Sequence, residues 1–450
     1  MESIRHAIGR RSALWSNTDF IRFWTGETIA NFGGQLGLIA LPIIAAVSLG
    51  ATPFQMGLLT ASTQLPRMVV GIFAGNWVDQ RKRRPIMIWV NIARALTLMA
   101  IPITSLFGIL NFPLLMLVSV LLGVFGIVFD SAWSAMVPNL VKREELADAN
   151  GKLWASMSLA QIVGPALAGT LIAWLTGPNV LALTAMSMLV AAWYMKQIRT
   201  PEPEPEDQPD LHSGPREMLR NIKEGYIELV RNPVVRPLTT TLTGISFGSG
   251  VFAAVFVLFL TDNLGLSTRG IGIMYAIGGA GALLGSMVAA PLARRFGYGR
   301  IITIGPFIQG SCNMLFAVAV LLNQWGIALV AFGSLVGWIF LQAYDINRFS
   351  LRQAVTRPNL MGRVASSTMT LIAASTMLGS LIGGAVGEFW GIGPALAVGA
   401  AVQIAAGFLT LFSPVPAIME LPALPFTAKA PLHDPSADIE FASPEVVELA

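Results

Sequence analysis

The feature that most constrains this chain is a succession of apolar stretches, each near the roughly 20 residues a helix needs to cross a bilayer. They run over Phe20–Leu49, Phe54–Val78, Ile86–Phe107, Phe112–Val137, Leu153–Leu175, Val180–Met195, Leu238–Leu260, Gly270–Ala293, Ile301–Leu322, Gly326–Asp345, Ser366–Gly387 and Ile392–Phe412. Lipid offers the backbone no hydrogen-bonding partner, so each stretch must close its own bonds as a helix. The expected fold is an all-α integral membrane protein with about twelve transmembrane helices, six on each side of a break. Composition agrees: 12% of the residues are charged, against about 25% in a soluble domain.

The break divides the chain into a leader (1–19), a first six-helix bundle (20–196), a linker (197–236), a second bundle (237–413) and a tail (414–450). The run Pro201-Glu202-Pro203-Glu204-Pro205-Glu206 cannot be helical and should be extended and solvated. Pro215–Val230 has the pattern of an amphipathic helix on a membrane surface, and the Pro- and acid-rich tail that of a disordered segment. Cations fix the orientation. Arg5, Arg10, Arg11, Arg22, Lys142, Arg143, Lys196, Arg199, Arg294, Arg295, Arg300, Arg357 and Arg363 fall on one side of the expected topology, and only Arg269 on the other. Cationic loops stay cytoplasmic, so both termini and the linker are expected inside a bacterial inner membrane. The net charge of +4 reads as this topology signal, and no nucleic-acid partner is expected.

Several chemistries find no support. The single Cys312 builds neither a disulfide nor a thiolate metal site, and His6, His212 and His433 all lie in polar segments. No nucleotide-binding loop of the G-x-x-x-x-G-K-[ST] form occurs, so ATP drive is not expected. No cofactor, metal or enzymatic activity is expected.

Between the second and third stretches lies Gly75-Asn76-Trp77-Val78-Asp79-Gln80-Arg81-Lys82-Arg83-Arg84-Pro85. This short cationic turn resembles the loop 2–3 signature of the major facilitator superfamily, G-x-x-x-D-[RK]-x-G-[RK]-[RK]. Gly75, Asp79, Arg83 and Arg84 match; Gln80 and Lys82 depart from it. Asp19-Phe20-Ile21-Arg22-Phe23-Trp24, Pro138-Asn139-Leu140-Val141 and Gly164-Pro165-Ala166-Leu167-Ala168-Gly169 look like the drug:proton antiporter branch. That branch includes macrolide efflux pumps and the enterobactin exporter. The resemblance implies two six-helix halves, a cavity lined by helices 1, 4, 7 and 10, and efflux driven by inward proton flow. Weak internal repeats agree: Gly164–Gly169 parallels Gly379–Gly384, Pro138-Asn139-Leu140 parallels Pro358-Asn359-Leu360, and the cationic turn has a counterpart in Pro291–Gly297 that lacks the acid.

An ionisable side chain at bilayer depth costs about 2.5–3.5 kcal/mol on insertion scales, so each needs a reason. Glu27 lies roughly 10 Å into the first helix, with Asn31 and Gln35 on the same face. It is a candidate for proton coupling or for a structural pair with an arginine. Asp130 and Arg94 fall at similar depth on neighbouring antiparallel helices. They form either a bracing ion pair or, through Asp130, a proton or substrate site. Arg67, near the middle of the second helix, is a candidate for an anionic or zwitterionic substrate or a partner for Glu27. Trp133, Phe252, Phe256, Phe259, Trp338 and Phe340 suit a cavity for apolar ligands, to which Asp345 also belongs. Arg348 and Arg352 join Gly75, Asp79, Arg81, Arg83 and Arg84 as a cytoplasmic gate. Glu388 reads as an interfacial acid at the outer end of helix 11. Gly164, Pro165, Gly169, Gly379 and Gly383 let helices approach closely.

The expected function is a monomeric secondary-active exporter of amphipathic small molecules by proton antiport, its partners being the substrate, protons and the lipid bilayer. A proton-coupled importer, or a non-transporting sensor or assembly protein, stays open on the residues alone.

Overall fold

The computed structural model describes residues 14–70, 77–78, 80–202, 224–357 and 360–422. Gly75 and Asp79 of the cationic turn, the leader cations Arg5, Arg10 and Arg11, the Pro-Glu run from Pro203 and the tail from residue 423 lie outside them. Among the described residues are twelve long helices: α1 (Thr18–Ile43), α2 (Pro53–Val69), α3 (Arg83–Leu106), α4 (Phe112–Leu140), α5 (Leu146–Leu175), α6 (Gly177–Lys196), α7 (Val235–Leu258), α8 (Thr268–Phe296), α9 (Tyr298–Ala319), α10 (Asn323–Val355), α11 (Met361–Trp390) and α12 (Ile392–Leu411). All but α2 are long and apolar enough to cross a membrane; its described part is 17 residues.

Local chemistry sets the starts. Asn17, Thr52, Asn111 and Ser267 each accept a backbone N–H of the first turn on a side-chain oxygen, which satisfies a donor the helix itself leaves free. Several helices overrun the apolar stretches. Hydropathy bounds the tenth at Gly326–Asp345, and α10 continues to Val355. Hydropathy marks where a helix meets hydrocarbon, and a polar helix end in water keeps its own bonds beyond that boundary.

The halves repeat at a fixed interval. The ends of α1 and α7 differ by 258 − 43 = 215, the starts of α2 and α8 by 268 − 53 = 215, and the starts of α3 and α9 by 298 − 83 = 215. The ends of α4 and α10 (355 − 140) and of α6 and α12 (411 − 196) give the same 215. Irregularities repeat too. α1 and α7 both finish in a π-turn, Ile44–Ser48 and Phe259–Asn263, followed by Gly50 and Gly265 at φ +60 and +62. Glycine suits these turns because a Cβ crowds the backbone at positive φ. The Gly164 and Gly379 repeat obeys the interval. The Pro138 and Pro358 repeat is spaced by 220 instead, and Pro358 and Asn359 lie outside the described residues.

Within the first half, α1 packs on α5 and α6, and α3 on α4 and α6; in the second, α7 packs on α11 and α12, and α9 on α10 and α12. Between halves, α2 meets α11 and α7, and α5 meets α8. Both flanking segments make contacts with the helices. The described part of the linker helix, residues 224–231, packs on α11, with Gly225 against Arg363 and Ser367 and Glu224 paired with Arg363; residues 215–223 lie outside the described residues. Beyond Pro414 the chain stays ordered to residue 422. Gly299 donates its N–H to the carbonyl of Ile418 at 2.7 Å, and Val415 is fully buried. A side chain at Gly299 would occupy the place of the Val415 carbonyl, so a missing side chain decides what composition alone reads as disorder.

Candidate functional site: a charged cluster and a neutral cavity

Glycines bring the polar residues of α1 inside. Gly26 lies against Ala191 and Tyr194 of α6, and Gly33 against Ser187. That contact turns Glu27 inward, leaving it 4% exposed. Trp133 of α4 lies beside its carboxylate, and Arg94 of α3 and Asp130 of α4 lie within electrostatic range. Arg94 acts on both acids, and Arg67 of α2 acts on Asp130 rather than on Glu27. Among the described residues none of these pairs closes to a direct salt bridge. Glu27 Oε1 and Arg94 Nε are buried with no hydrogen-bond partner, while the Arg94 guanidinium sits 5.5 Å above the Phe129 ring. Two cations and two acids make a cluster of zero net charge. Glu27 is its buried member, Arg94 is half-buried, and Arg67 and Asp130 keep exposed surface, so the cost of a charge in a low-dielectric interior falls chiefly on Glu27.

A second feature lies between the halves. A cavity of about 490 Å³ is lined by α1, α5, α7, α8, α9, α10 and α12. Of the expected cavity residues it takes Gln35, Phe252, Phe256 and Trp338. Glu27, Asn31, Arg67, Trp133, Phe259, Phe340 and Asp345 do not line it, and α4 contributes nothing. The void is displaced toward the second half. There Phe256 packs edge-on to Tyr275 at 5.6 Å and stacks on Phe316 at 5.8 Å, and Phe252 meets Phe316 edge-on at 5.8 Å. Trp338 lies against Gly278, where an added Cβ would come 2.9 Å from the indole. Gln35 bends over Gly164, and Pro165 of the same α5 motif lines the wall. Among the described residues no Asp, Glu, Lys or Arg lines the cavity. Its polar groups are amides and hydroxyls, among them Gln309, Asn313 and Gln403, which are 6%, 7% and 1% exposed. A search of the sequence by charge passes these three over; the legible signal is three amides inside the apolar stretches of α9 and α12. Among the described residues no group of three or more His, Cys, Asp or Glu is placed to hold a metal.

The two ends of the bundle differ. At the end where α5 finishes and α8 starts, Gly169 and Gly272 bring the halves into backbone contact. Nearby, Gly57 of α2 lies against Ser380 and Gly384 of α11, the Phe54 N–H donates to Glu388 Oε2 at 3.2 Å, and Arg269 sits 5.5 Å over the Trp174 ring. Glu388, interfacial by sequence, thus takes a hydrogen bond from the other half. Gly379 and Gly383 instead pack on Phe247 and Val251 of α7 within their own half. At the cationic end the described contacts stay within each half and its linker. Arg81 stacks 4.3 Å over Trp77. Glu202 accepts the N–H groups of Arg83 and Arg84 at 2.7 and 2.6 Å, and the Arg84 guanidinium donates to the carbonyls of Met195 and Lys196. Asp345 pairs with Arg348 at 3.1 Å, and Arg352 lies 5.1 Å from the Phe349 ring. Asp19 accepts the N–H groups of Arg199 and Thr200 and the Thr200 hydroxyl, which ties the start of the linker to α1.

The chain resembles the multidrug efflux pump Tap of Mycolicibacterium fortuitum, 24% identical over 81% of this chain and 88% of the pump. It also resembles the enterobactin exporter EntS of Escherichia coli, 25% identical over 76% of this chain and 82% of the exporter. Among solved structures, a point mutant of the nucleoside transporter NupG aligns at TM-score 0.72 with 10% identity, over 87% of this chain and 99% of that one. A bacterial homologue of the iron transporter ferroportin aligns over 87% of this chain and 98% of its own, at TM-score 0.70 with 16% identity in its inward-facing state and 0.58 in its outward-facing state. The family model of the Major Facilitator Superfamily matches residues 23–372. With a match of that extent, on two six-helix halves repeated at one interval, this chain belongs to the major facilitator superfamily of membrane transporters.

Proposed function

We propose that this protein is a secondary-active exporter that moves amphipathic small molecules by alternating access, coupled to proton entry, and that the state described is open toward the cytoplasm. The observation that carries the proposal is the asymmetry of contact around the cavity. The halves meet at one end through Gly169, Gly272, Gly57 and Gly384, and the described residues hold no matching close approach at the cationic end. Cationic loops belong to the cytoplasmic side, so the closed end is the outer one. The better fit to the inward-facing ferroportin homologue is consistent with this. Export as the direction rests on the likeness to Tap and EntS.

Glu27 is the group we assign to the coupled proton. It is buried, has an unpartnered oxygen, and shares its cluster with Arg94 and Asp130. Protonation removes one negative charge from a neutral cluster. The resulting excess of cation shifts the balance between states, which is how a ligand with different affinities for two states moves a population. Arg94 and Asp130 set the field around it, and Arg67 acts on Asp130. Arg348, Arg352 and the Arg81–Arg84 turn, with Gly75 and Asp79, form the gate that closes at the cytoplasmic end when the outer one opens.

The test is transport by the purified protein in proteoliposomes under an imposed pH gradient, against a panel of labelled amphiphiles. The expected result is substrate movement opposite to proton flow, abolished in Glu27→Gln with binding retained. Flux in the same direction as protons makes the protein an importer and overturns the proposal, as does undiminished coupling in Glu27→Gln.

A further inference from the structure

The interval of 215 residues relates positions as well as helices. Arg94 of α3 corresponds to Gln309 of α9, since 309 − 94 = 215, and Asp130 of α4 to Asp345 of α10, since 345 − 130 = 215. The two halves therefore present the same position with different chemistry. In the first half it holds a guanidinium among carboxylates. In the second it holds a neutral amide on the wall of the cavity. Both side chains are left unsatisfied: Arg94 Nε and Gln309 Oε1 are buried without a hydrogen-bond partner.

Gln309 is only 6% exposed and its amide oxygen accepts no hydrogen bond, whereas the amides near it are engaged. Asn313 donates through Nδ2 to Gln403 Oε1 at 2.6 Å, and Gln403 donates through Nε2 to the carbonyl of Ile245 at 3.4 Å. That chain uses the Asn313 donor and leaves its oxygen. Gln309 takes no part in it. Gly337 stands next to it, and a Cβ there would come 2.8 Å from Gln309 Oε1. That oxygen is closed off against Gly337, which does not line the void, so the Gln309 group left for a ligand is its Nε2 donor, beside the Asn313 oxygen that the amide chain leaves unused. Phe252, Phe256, Phe316 and Trp338 supply flat apolar walls beside it, and among the described residues no ionisable acid or base lines the void other than the phenol of Tyr275.

We propose that the second-half side of the cavity is a subsite for an uncharged aromatic group bearing an amide-like edge, a hydrogen-bond donor beside an acceptor, read by Gln309 and Asn313. Charge handling is confined to the first-half cluster around Arg94. This specificity rests on the reading of the cavity as the transport site, but binding at equilibrium tests it without any flux. A missing amide in the ligand leaves Gln309 unpaired, and that penalty lets a polar site reject an analogue strongly.

The experiment is ligand-dependent thermal stability and affinity of the full chain in lipid nanodiscs, with no gradient. The probes are 2-naphthamide, 2-naphthoate and 2-naphthylmethylamine, which share one ring system and differ in charge. Wild type should bind the amide at least about tenfold more tightly than either charged probe. Gln309→Leu should raise the melting temperature of the ligand-free protein, because an unsatisfied buried amide is removed, and weaken 2-naphthamide about tenfold or more. Gln309→Arg, which restores the first-half residue, should invert the preference toward 2-naphthoate. Equal binding of the charged probes, no binding of the amide, or unchanged amide affinity in Gln309→Leu overturns the subsite. A lowered ligand-free melting temperature in Gln309→Leu assigns the amide to the scaffold and overturns it as well. A positive binding result with no transport leaves the subsite standing and removes only the exporter reading.

Discussion

Gly272→Ala should open the closed end of the bundle. The Cβ it adds would lie 2.7 Å from Gly169 Cα and 2.9 Å from the carbonyl oxygen of Pro165, both backbone atoms that no rotamer change can move. Ordinary contact begins near 3.4 Å, so α5 and α8 must separate by about 0.7 Å, the difference between 3.4 and 2.7 Å. Overpacking of this kind costs about 1–3 kcal/mol. The clash exists only while the halves touch at this end, so the cost falls on the state described and not on its alternative. The equilibrium between the two should then shift about 5- to 150-fold. The assay is labelling of Ser249→Cys, a cavity-lining position, in a Cys312→Ala background with a membrane-impermeant maleimide. The parent should react from the side of the cationic loops. Gly272→Ala should gain reactivity from the opposite side by about fivefold or more. The pair Gly169→Ala with Gly272→Ala should shift less than the sum, because a single separation relieves both clashes. Unchanged labelling from both sides, in a protein that stays monodisperse and well expressed, would refute the reasoning.

Three further outcomes follow from contacts elsewhere. Asp130→Asn leaves Arg67 and Arg94 in excess, so it should lower the yield of folded protein more than Asp130→Asn combined with Arg67→Gln, measured by fluorescence-detected size exclusion; equal yields would remove the coupling between Arg67 and Asp130. Glu202→Ala strips the carboxylate from the first two N–H groups of α3, so nanodisc melting should report a loss of about 1 kcal/mol, with Glu202→Gln losing less. Asp19→Ala removes the acceptor of the Arg199 and Thr200 N–H groups, so trypsin should cut after Arg199 about tenfold faster through local opening, and an unaltered rate would show that the linker is held by other contacts.

Much of the site's chemistry is legible residue by residue, and its grouping is not. Glu27, Arg94, Asp130 and Arg67 announce themselves because a charge in an apolar stretch is rare and costly. Their partnership depends on helix rotation, which a run of apolar residues does not encode: Arg67 acts on Asp130 rather than Glu27. The family resemblance puts the cavity at the centre with helix 4 in its wall, yet it lies toward the second half and draws on α9 and α12. Gln309, Asn313 and Gln403 are ordinary amides one at a time and come together on one cavity wall only where α9 meets α12. Glu388, an interfacial acid in the sequence, joins the halves through Phe54 because α2 starts opposite the end of α11.

By itself the sequence determined twelve apolar helices in two sets of six and the end at which their cations gather. Those follow from the cost of an unbonded backbone and of a charge in hydrocarbon, and both are local quantities summed along the chain. Only the tertiary structure decided where the halves touch, where the void lies and which buried groups are left without partners. Those depend on glycines meeting across helices far apart in sequence, such as Gly169 with Gly272, and on a 215-residue register that no single stretch carries.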